Sequence, residues 1–168
     1  MLIGSYSPSL VVISLFVAIL ASYTALDLAG RLATAQGRAV YVWMTGGALA
    51  MGTGVWSMHF IGMLALRLPF ALGFDLGITA LSLLIAVLSS GFALWLVSQA
   101  RLPAWQLAFG ALIMGAGISS MHYTGMAAMR MTPGIDYDPT LFGASLLIAV
   151  VASGAALWIA FNLRRNTP

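Results

Sequence analysis

Five long apolar runs, separated only by short polar segments, make up most of this sequence. They predict five membrane-spanning helices, which we place at Ser9–Gly30, Tyr41–Leu66, Leu76–Val97, Trp105–Met129 and Thr140–Leu163. A helix needs about 20 residues to cross a hydrocarbon core of about 30 Å, and each run is long enough. The runs lack the two-residue alternation that is typical of membrane β-barrel strands. The sequence therefore predicts an all-α integral membrane protein.

The composition agrees with a membrane protein and excludes several other classes. Only 7% of the residues are charged and 61% are hydrophobic, whereas a soluble domain carries about 25% charged residues. The sequence has no Cys, which excludes disulfides, thiolate metal sites and Cys nucleophiles. The basic residues are all Arg and form no basic run, so a nucleic-acid partner is not expected.

The positions of the arginines predict the orientation of the chain. The connections after the odd-numbered helices carry five of them: Arg31, Arg38, Arg101, Arg164 and Arg165. The connections after the even-numbered helices carry only Arg67 and Arg130. Because cytoplasmic loops are enriched in Lys and Arg, we expect the N-terminus outside and the C-terminus in the cytoplasm.

An internal repeat relates the helices to one another. Residues 47–98 align without gaps to residues 110–161 at an offset of 63, with 25 of the 52 positions identical. The first helix aligns with the third at an offset of 68, so that Ser14, for example, corresponds to Ser82. The predicted unit is a pair of helices, present about two and a half times. Two crossings return the chain to the same side, so the copies are expected to be parallel and equivalent residues to lie at equal depth.

The repeat aligns the only two histidines, His59 and His122. Residues four apart share a helix face, so His59 lies beside Met63 and His122 beside Met126. The residue before each His is also a Met, Met58 in the first copy and Met121 in the second. Since Arg67 and Arg130 mark the outer interface, we expect both histidines to be buried in the outer half of the membrane.

Imidazole and thioether groups without a carboxylate favour copper, especially Cu(I), as the metal ion that these His and Met side chains bind. Polar groups in lipid-embedded helices are costly and usually functional, which supports a ligand site. Haem held between the two histidines is an alternative, as in b-type cytochromes that transfer electrons. A structural or oligomerising module, in which Met only fills space and each His bonds to a neighbouring helix, is another.

The remaining polar residues predict structure rather than catalysis. The sequence has no Glu, no phosphate-binding loop and no Ser/His/Asp set, so we expect no enzyme activity and assign no catalytic residue. Asp27 is expected to pair with Arg31 at the cytoplasmic interface. Three further acids are expected to be solvated or to cap helices: Asp75, Asp136 and Asp138. Tyr23 and Tyr123 are candidates to hydrogen-bond a ligated His, with core packing as the alternative.

Three segments of the sequence closely resemble the MHYT family: ASYTALDLAGR at 21–31, SMHFIGM at 57–63 and SMHYTGMAAM at 120–129. The resemblance implies a sensor domain of the bacterial inner membrane that binds copper and through it senses oxygen, carbon monoxide or nitric oxide. It also implies a cytoplasmic signalling output, commonly a cyclic-di-GMP enzyme or a histidine kinase. The metal roles that it implies fall on Met58, His59, Met121 and His122, with Tyr123 nearby.

The sequence departs from the family pattern in two respects. The family carries three such motifs and this chain has two, so we predict one sensor domain over residues 1–168 that lacks the family's last helix pair. The first motif has Phe60 and Ile61 where the second has Tyr123 and Thr124, so hydroxyl groups are not required at both copies. The expected partners are the bilayer, a diatomic gas and the output module, with a homo-oligomer as a further possibility.

Overall fold

A computed structural model describes residues 5–67, 73–130 and 137–166. Within these ranges the chain forms five long α-helices: α1 (Pro8–Thr34), α2 (Arg38–Leu64), α3 (Leu76–Ser98), α4 (Ala104–Ala127) and α5 (Pro139–Asn166). The same ranges contain four two-residue strands: β1 (Ser5–Tyr6), β2 (Leu66–Arg67), β3 (Gly73–Phe74) and β4 (Met129–Arg130). The number and order of the helices agree with the sequence prediction.

Two short β-ladders accompany the helices in the described part of the chain, and the all-helical architecture agrees with the prediction. β1 pairs antiparallel with β2, and β3 pairs antiparallel with β4. The predicted second and fourth helices each extend two residues too far at the C-terminal end, because α2 ends at Leu64 and α4 at Ala127 and the chain then becomes extended. These segments are extended because adjacent antiparallel helices bring the chain before one helix next to the chain after the other. Their backbone groups then pair with each other, as backbone groups shielded from water must.

Each ladder continues into its helix pair through one further backbone bond. Ser7 N donates to Ala65 O at 2.8 Å, and Asp75 N donates to Ala128 O at 2.8 Å. Ala65 and Ala128 are fully buried. The chain entering the first helix of a pair is thus tied to the chain leaving the second.

Helices that follow one another along the chain pack side by side, from α1 to α5. The odd-numbered helices also meet, although their contacts with one another are smaller. A buried apolar cluster, which includes Leu28, Leu32, Leu94, Val97 and Leu157, joins these three helices. This cluster therefore links α1 and α5 to α3, which contacts all four of the other described helices.

Four of the helices in the described ranges are long and apolar enough to cross a membrane: α1, α3, α4 and α5. We expected five such helices. The one that is not among the four is α2, which is less apolar because it contains polar residues such as Arg38, Thr45 and His59. Large apolar side chains such as Phe16, Leu88 and Trp158 are more than half exposed. These side chains suit contact with lipid rather than with water.

Two glycines allow the even-numbered helices to approach their successors closely. A Cβ atom at Gly52 would lie 2.5 Å from the Cα of Val87, and one at Gly115 would lie 2.7 Å from the Cα of Val150. Both contacts are backbone contacts, so no side-chain movement can relieve them. Small residues permit such close packing between membrane helices. The sequence repeat aligns Gly52 with Gly115 and Val87 with Val150.

Aspartates begin two of the helices, as predicted. Asp75 Oδ1 accepts from the backbone N–H groups of Gly77 and Ile78, and Asp138 Oδ1 accepts from those of Thr140 and Leu141. Such caps satisfy N–H groups that have no partner within the helix. Asp136 lies outside the described residues.

Two ion pairs join arginines to aspartates in the described part of the chain. Arg31 Nε donates to Asp27 Oδ2 at 2.7 Å, which confirms the predicted pair. The second pair was not predicted, and joins Arg130 of β4 to Asp75, with Nη2 and Oδ2 2.6 Å apart. The Arg130 hydrogen bond holds the pKa of Asp75 below its usual value, and the cap bonds to Ile78 and Gly77 act in the same direction.

We predict that Gly52→Ala lowers the free energy of unfolding by about 1–3 kcal/mol, the usual cost of overpacking. The added methyl group meets the Val87 backbone, which cannot give way locally. Gly46→Ala is the matched control on the same helix, since a Cβ there meets nothing within 4 Å. The control should gain about 0.5–1 kcal/mol from reduced chain entropy. Thermal unfolding in detergent measures both changes, and equal effects would contradict the close approach.

We predict that Asp75→Asn removes a pH-dependent contribution to stability. The pKa of Asp75 is lowered in the folded chain, so its contribution is complete above the unfolded pKa of about 4 and is lost as the pH falls through the folded value. The variant should be less stable than the wild type at pH 7, and the difference should shrink on acidification.

Asp138→Asn is the control for this experiment. Its pKa is lowered by hydrogen bonds from the Leu141 and Thr140 backbones, so it tests a cap of the same kind. Asp75→Asn should lower the unfolding midpoint more than Asp138→Asn does, because it also breaks the ion pair with Arg130. Added salt should reduce this difference, because an exposed ion pair is screened. A salt-independent difference in the unfolding midpoint would contradict a role for Arg130.

Candidate metal centre

The two histidines lie against each other. The rings of His59, on α2, and His122, on α4, have centroids 4.8 Å apart and meet edge to face. The α2 and α4 helices otherwise make few contacts with each other. Gly125 makes room at the meeting point, since a Cβ there would lie 3.3 Å from His59 Nε2. The expectation that equivalent histidines converge is therefore met.

His59 has a buried nitrogen without a partner. Its Nε2 atom is shielded from solvent and forms no hydrogen bond within the described part of the chain. A buried polar atom that lacks a partner costs free energy, and such atoms in native structures call for a specific explanation. A bound ligand or ion that accepts the lone pair of Nε2 would provide one.

A cavity of about 310 Å³ opens beside the imidazole rings. Its walls include both histidines and two of the predicted metal-binding methionines, Met58 and Met63. The remaining walls come from Tyr6, Ser14 and Gly62. The spacing argument that placed His59 and Met63 on one face of α2 agrees with this arrangement. The cavity thus brings two imidazoles and two thioether side chains to one space.

The methionines of α4 are placed differently from those of α2. Met121 is buried, with 3% of its surface exposed, and lines a larger cavity between the helices. Met126 is half-buried and is not among the residues that line the histidine cavity. The two copies of the motif therefore contribute unequally to this cavity, although their sequences align without a gap.

Tyr123 supports the ring of His122 rather than bonding to it. The two rings meet edge to face with centroids 4.9 Å apart. The Tyr123 hydroxyl lies 2.6 Å from Ser145 Oγ, and Ser145 Oγ itself donates to Phe142 O, so the Tyr123 hydroxyl is the donor of the pair. Tyr23, the other candidate, is 74% exposed on α1.

Three serines near the site were not assigned a role from the sequence. Ser14 Oγ donates to the carbonyl oxygen of Met58 at 2.9 Å. Ser82 Oγ accepts from Trp56 Nε1 at 2.9 Å, and Ser145 bonds to Tyr123. The repeat aligns all three serines, and this alignment is the signal that could have identified them. Each anchors an odd-numbered helix to the even-numbered helix that carries a histidine.

The available donors limit which ions this centre suits. The described residues contain no group of three or more His, Cys, Asp or Glu side chains that could hold a metal ion. An ion bound here would therefore rely on the two imidazoles and on thioethers. Zn²⁺ usually takes Cys, His or carboxylate ligands, whereas imidazole and thioether together suit copper.

A family model described as MHYT, the bacterial signalling protein N terminal repeat, matches residues 52–110 and again residues 115–168. Among curated proteins, the chain is 66% identical over 167 residues to the bifunctional diguanylate cyclase/cyclic di-GMP phosphodiesterase MucR of Pseudomonas aeruginosa, covering 99% of this chain and 24% of that protein.

Two further relatives are more distant. The chain is 44% identical over 153 residues to the cyclic di-GMP phosphodiesterase NbdA of Pseudomonas aeruginosa, which covers 91% of this chain and 19% of NbdA. It is 36% identical over 159 residues to the signaling protein YkoW of Bacillus subtilis, which covers 95% of this chain and 20% of YkoW. The chain thus spans a quarter or less of the length of these relatives. No solved structure matches.

We predict that Tyr123→Phe lowers the free energy of unfolding by about 0.5–1.5 kcal/mol, the usual net value of one hydrogen bond. The substitution removes the bond to Ser145 and keeps the ring beside His122. Tyr23→Phe, at an exposed position, is the control and should change stability little. Thermal unfolding in one detergent compares the two, and equal midpoints would show that the Tyr123 hydroxyl does not tie α4 to α5.

Proposed function

Because the chain belongs to the MHYT family of bacterial signalling-protein repeats, we propose that it is a membrane-embedded sensor domain that binds copper at His59 and His122. The ligand sensed there is a diatomic gas: oxygen, carbon monoxide or nitric oxide. The observation that carries this proposal is the meeting of the two rings at 4.8 Å, with the buried Nε2 of His59 unpaired within the described residues.

The residues of the cavity fit copper in chemistry and in position. His59 and His122 supply imidazole nitrogens, and Met58 and Met63, which share the cavity, supply thioether sulfurs. Met121 and Met126 of the second motif are the remaining candidate ligands. When bound, copper supplies an open coordination position at which a diatomic gas can bind. Tyr123 holds the ring of His122 in place, and Ser14 holds the backbone at Met58.

The topology of the proposal follows the distribution of charge and the helix pairing. We propose that α2 also spans the membrane, since it is as long as α1 and is tied to it at both ends. The pairs α1–α2 and α3–α4, followed by α5, then form parallel two-helix repeats. The N-terminus lies outside, the C-terminus lies in the cytoplasm of a bacterial inner membrane, and the histidines lie near the outer face.

The output of the sensor is proposed from the relatives. MucR and NbdA are described as cyclic di-GMP enzymes, and this chain corresponds to a small part of each. We propose that the chain itself is not catalytic and that it signals through α5, at whose cytoplasmic end an output module of this kind is attached.

The separation of the rings argues against the haem alternative. With metal–nitrogen bonds of about 2 Å, two imidazoles on opposite sides of one ion have ring centroids more than about 6 Å apart. The 4.8 Å separation is shorter, so His59 and His122 would have to move apart to hold haem between them. A Soret absorption band in the purified protein would nevertheless support haem directly.

We predict that His59→Ala and His122→Ala each lose bound copper. The measurement is the copper content per chain after reconstitution with Cu(I) and removal of free metal. Met44→Leu is the control, because Met44 lies 15 residues before His59 on α2, about 22 Å along the helix. Cu(I) should also raise the unfolding midpoint of the wild type and of the control. Unchanged copper content in both His variants would contradict the proposal.

A further inference from the structure

A second and larger cavity, of about 540 Å³, lies between the five described helices. Its walls are almost entirely apolar, and alanines supply many of them: Ala18, Ala25, Ala86, Ala93, Ala152 and Ala156. These alanines come from α1, α3 and α5. The helices α1 and α5, which supply four of them, make only a small contact with each other.

The two cavities share a wall. Met58 lines the larger cavity and also the cavity beside the histidines. On α4, Met121 faces the larger cavity and the next residue, His122, faces the smaller one. The Met58 side chain, which is unbranched and conformationally adaptable, thus lies at the boundary of both spaces.

The larger cavity also contains an unpaired polar atom. Ser153 lines it, is only 3% exposed, and its Oγ has no hydrogen-bond partner within the described part of the chain. Ser22, Ser89 and Ser90 also line this space, and among these four serines Ser153 is the one whose hydroxyl is buried and unpaired within the described residues. An occupant with an available lone pair would satisfy this hydroxyl, which points to a bound molecule rather than to tight helix packing.

We propose that this cavity is a gas store that takes up oxygen, carbon monoxide or nitric oxide from the bilayer and delivers it past Met58 to the histidine cavity. The inference rests on the proposed function and assigns the route by which the ligand arrives. These gases are small and apolar, and each carries a lone pair for Ser153. Apolar cavities of about 150 Å³ stay dry and bind xenon, so this larger space is suited to hold a gas.

Xenon tests the store without copper. We expect a xenon-pressurised crystal of the copper-free protein to show an anomalous peak within the cavity. The double variant Ala25→Phe/Ala156→Phe, which fills the cavity from α1 and α5, should lose that peak. Ala33→Phe/Ala155→Phe is the matched control on the same two helices, at exposed positions that do not line the cavity, and should keep it.

Carbon monoxide binding tests the connection to the metal. In copper-loaded protein, association after flash photolysis should be slower in Ala25→Phe/Ala156→Phe than in the control variant, with copper content unchanged. Equal rates in the two variants would overturn the proposed route. Absence of xenon, or a cavity filled by ordered water or by a lipid chain, would overturn the store itself.

The two proposals fail in different ways. A wild-type protein that does not bind copper would refute the proposed function, whereas the xenon result would be unaffected. Copper bound normally in a protein that takes up no xenon would refute only the gas store.

Discussion

The close backbone contacts at Gly52 and Gly115 fix how each even-numbered helix lies against the helix that follows it. They bring α2 against α3 at Val87 and α4 against α5 at Val150, at distances that no residue with a Cβ could keep. Membrane helices gain little from the hydrophobic effect when they associate, so such close packing supplies much of the attraction between them. With α2 and α4 each held against its successor, the histidines, about two turns further along each helix, meet between the pairs.

Much of the fold follows from periodicity and composition. Long uncharged runs predict the helices, and the charged breaks locate their connections to within a few residues. The alignment of His59 with His122 predicts that the two residues converge, and their rings do meet. Asp75 and Asp138 were recognisable as caps since each directly precedes an apolar run.

The features that sequence reasoning missed depend on contacts between distant parts of the chain. No local pattern distinguishes Leu66–Arg67 or Met129–Arg130 as strands, since a two-residue strand forms only where a second extended segment lies beside it. The Asp75–Arg130 pair joins residues that are 55 positions apart. The unequal placement of Met63 and Met126 likewise depends on what surrounds each helix. Identical motifs have different neighbours once α1 packs on one side of α2 and α5 packs beside α4.

The β-ladders have a mechanical consequence. The α1–α2 pair is joined by a three-residue connection at one end and by β1–β2 at the other, so its two helices cannot separate at either end. The α3–α4 pair is closed in the same way by β3–β4. The two pairs are in turn held against each other where Gly52 of α2 meets the backbone of α3 at Val87. His59 belongs to one closed pair and His122 to the other, so the contact between their rings bridges two separately fastened units.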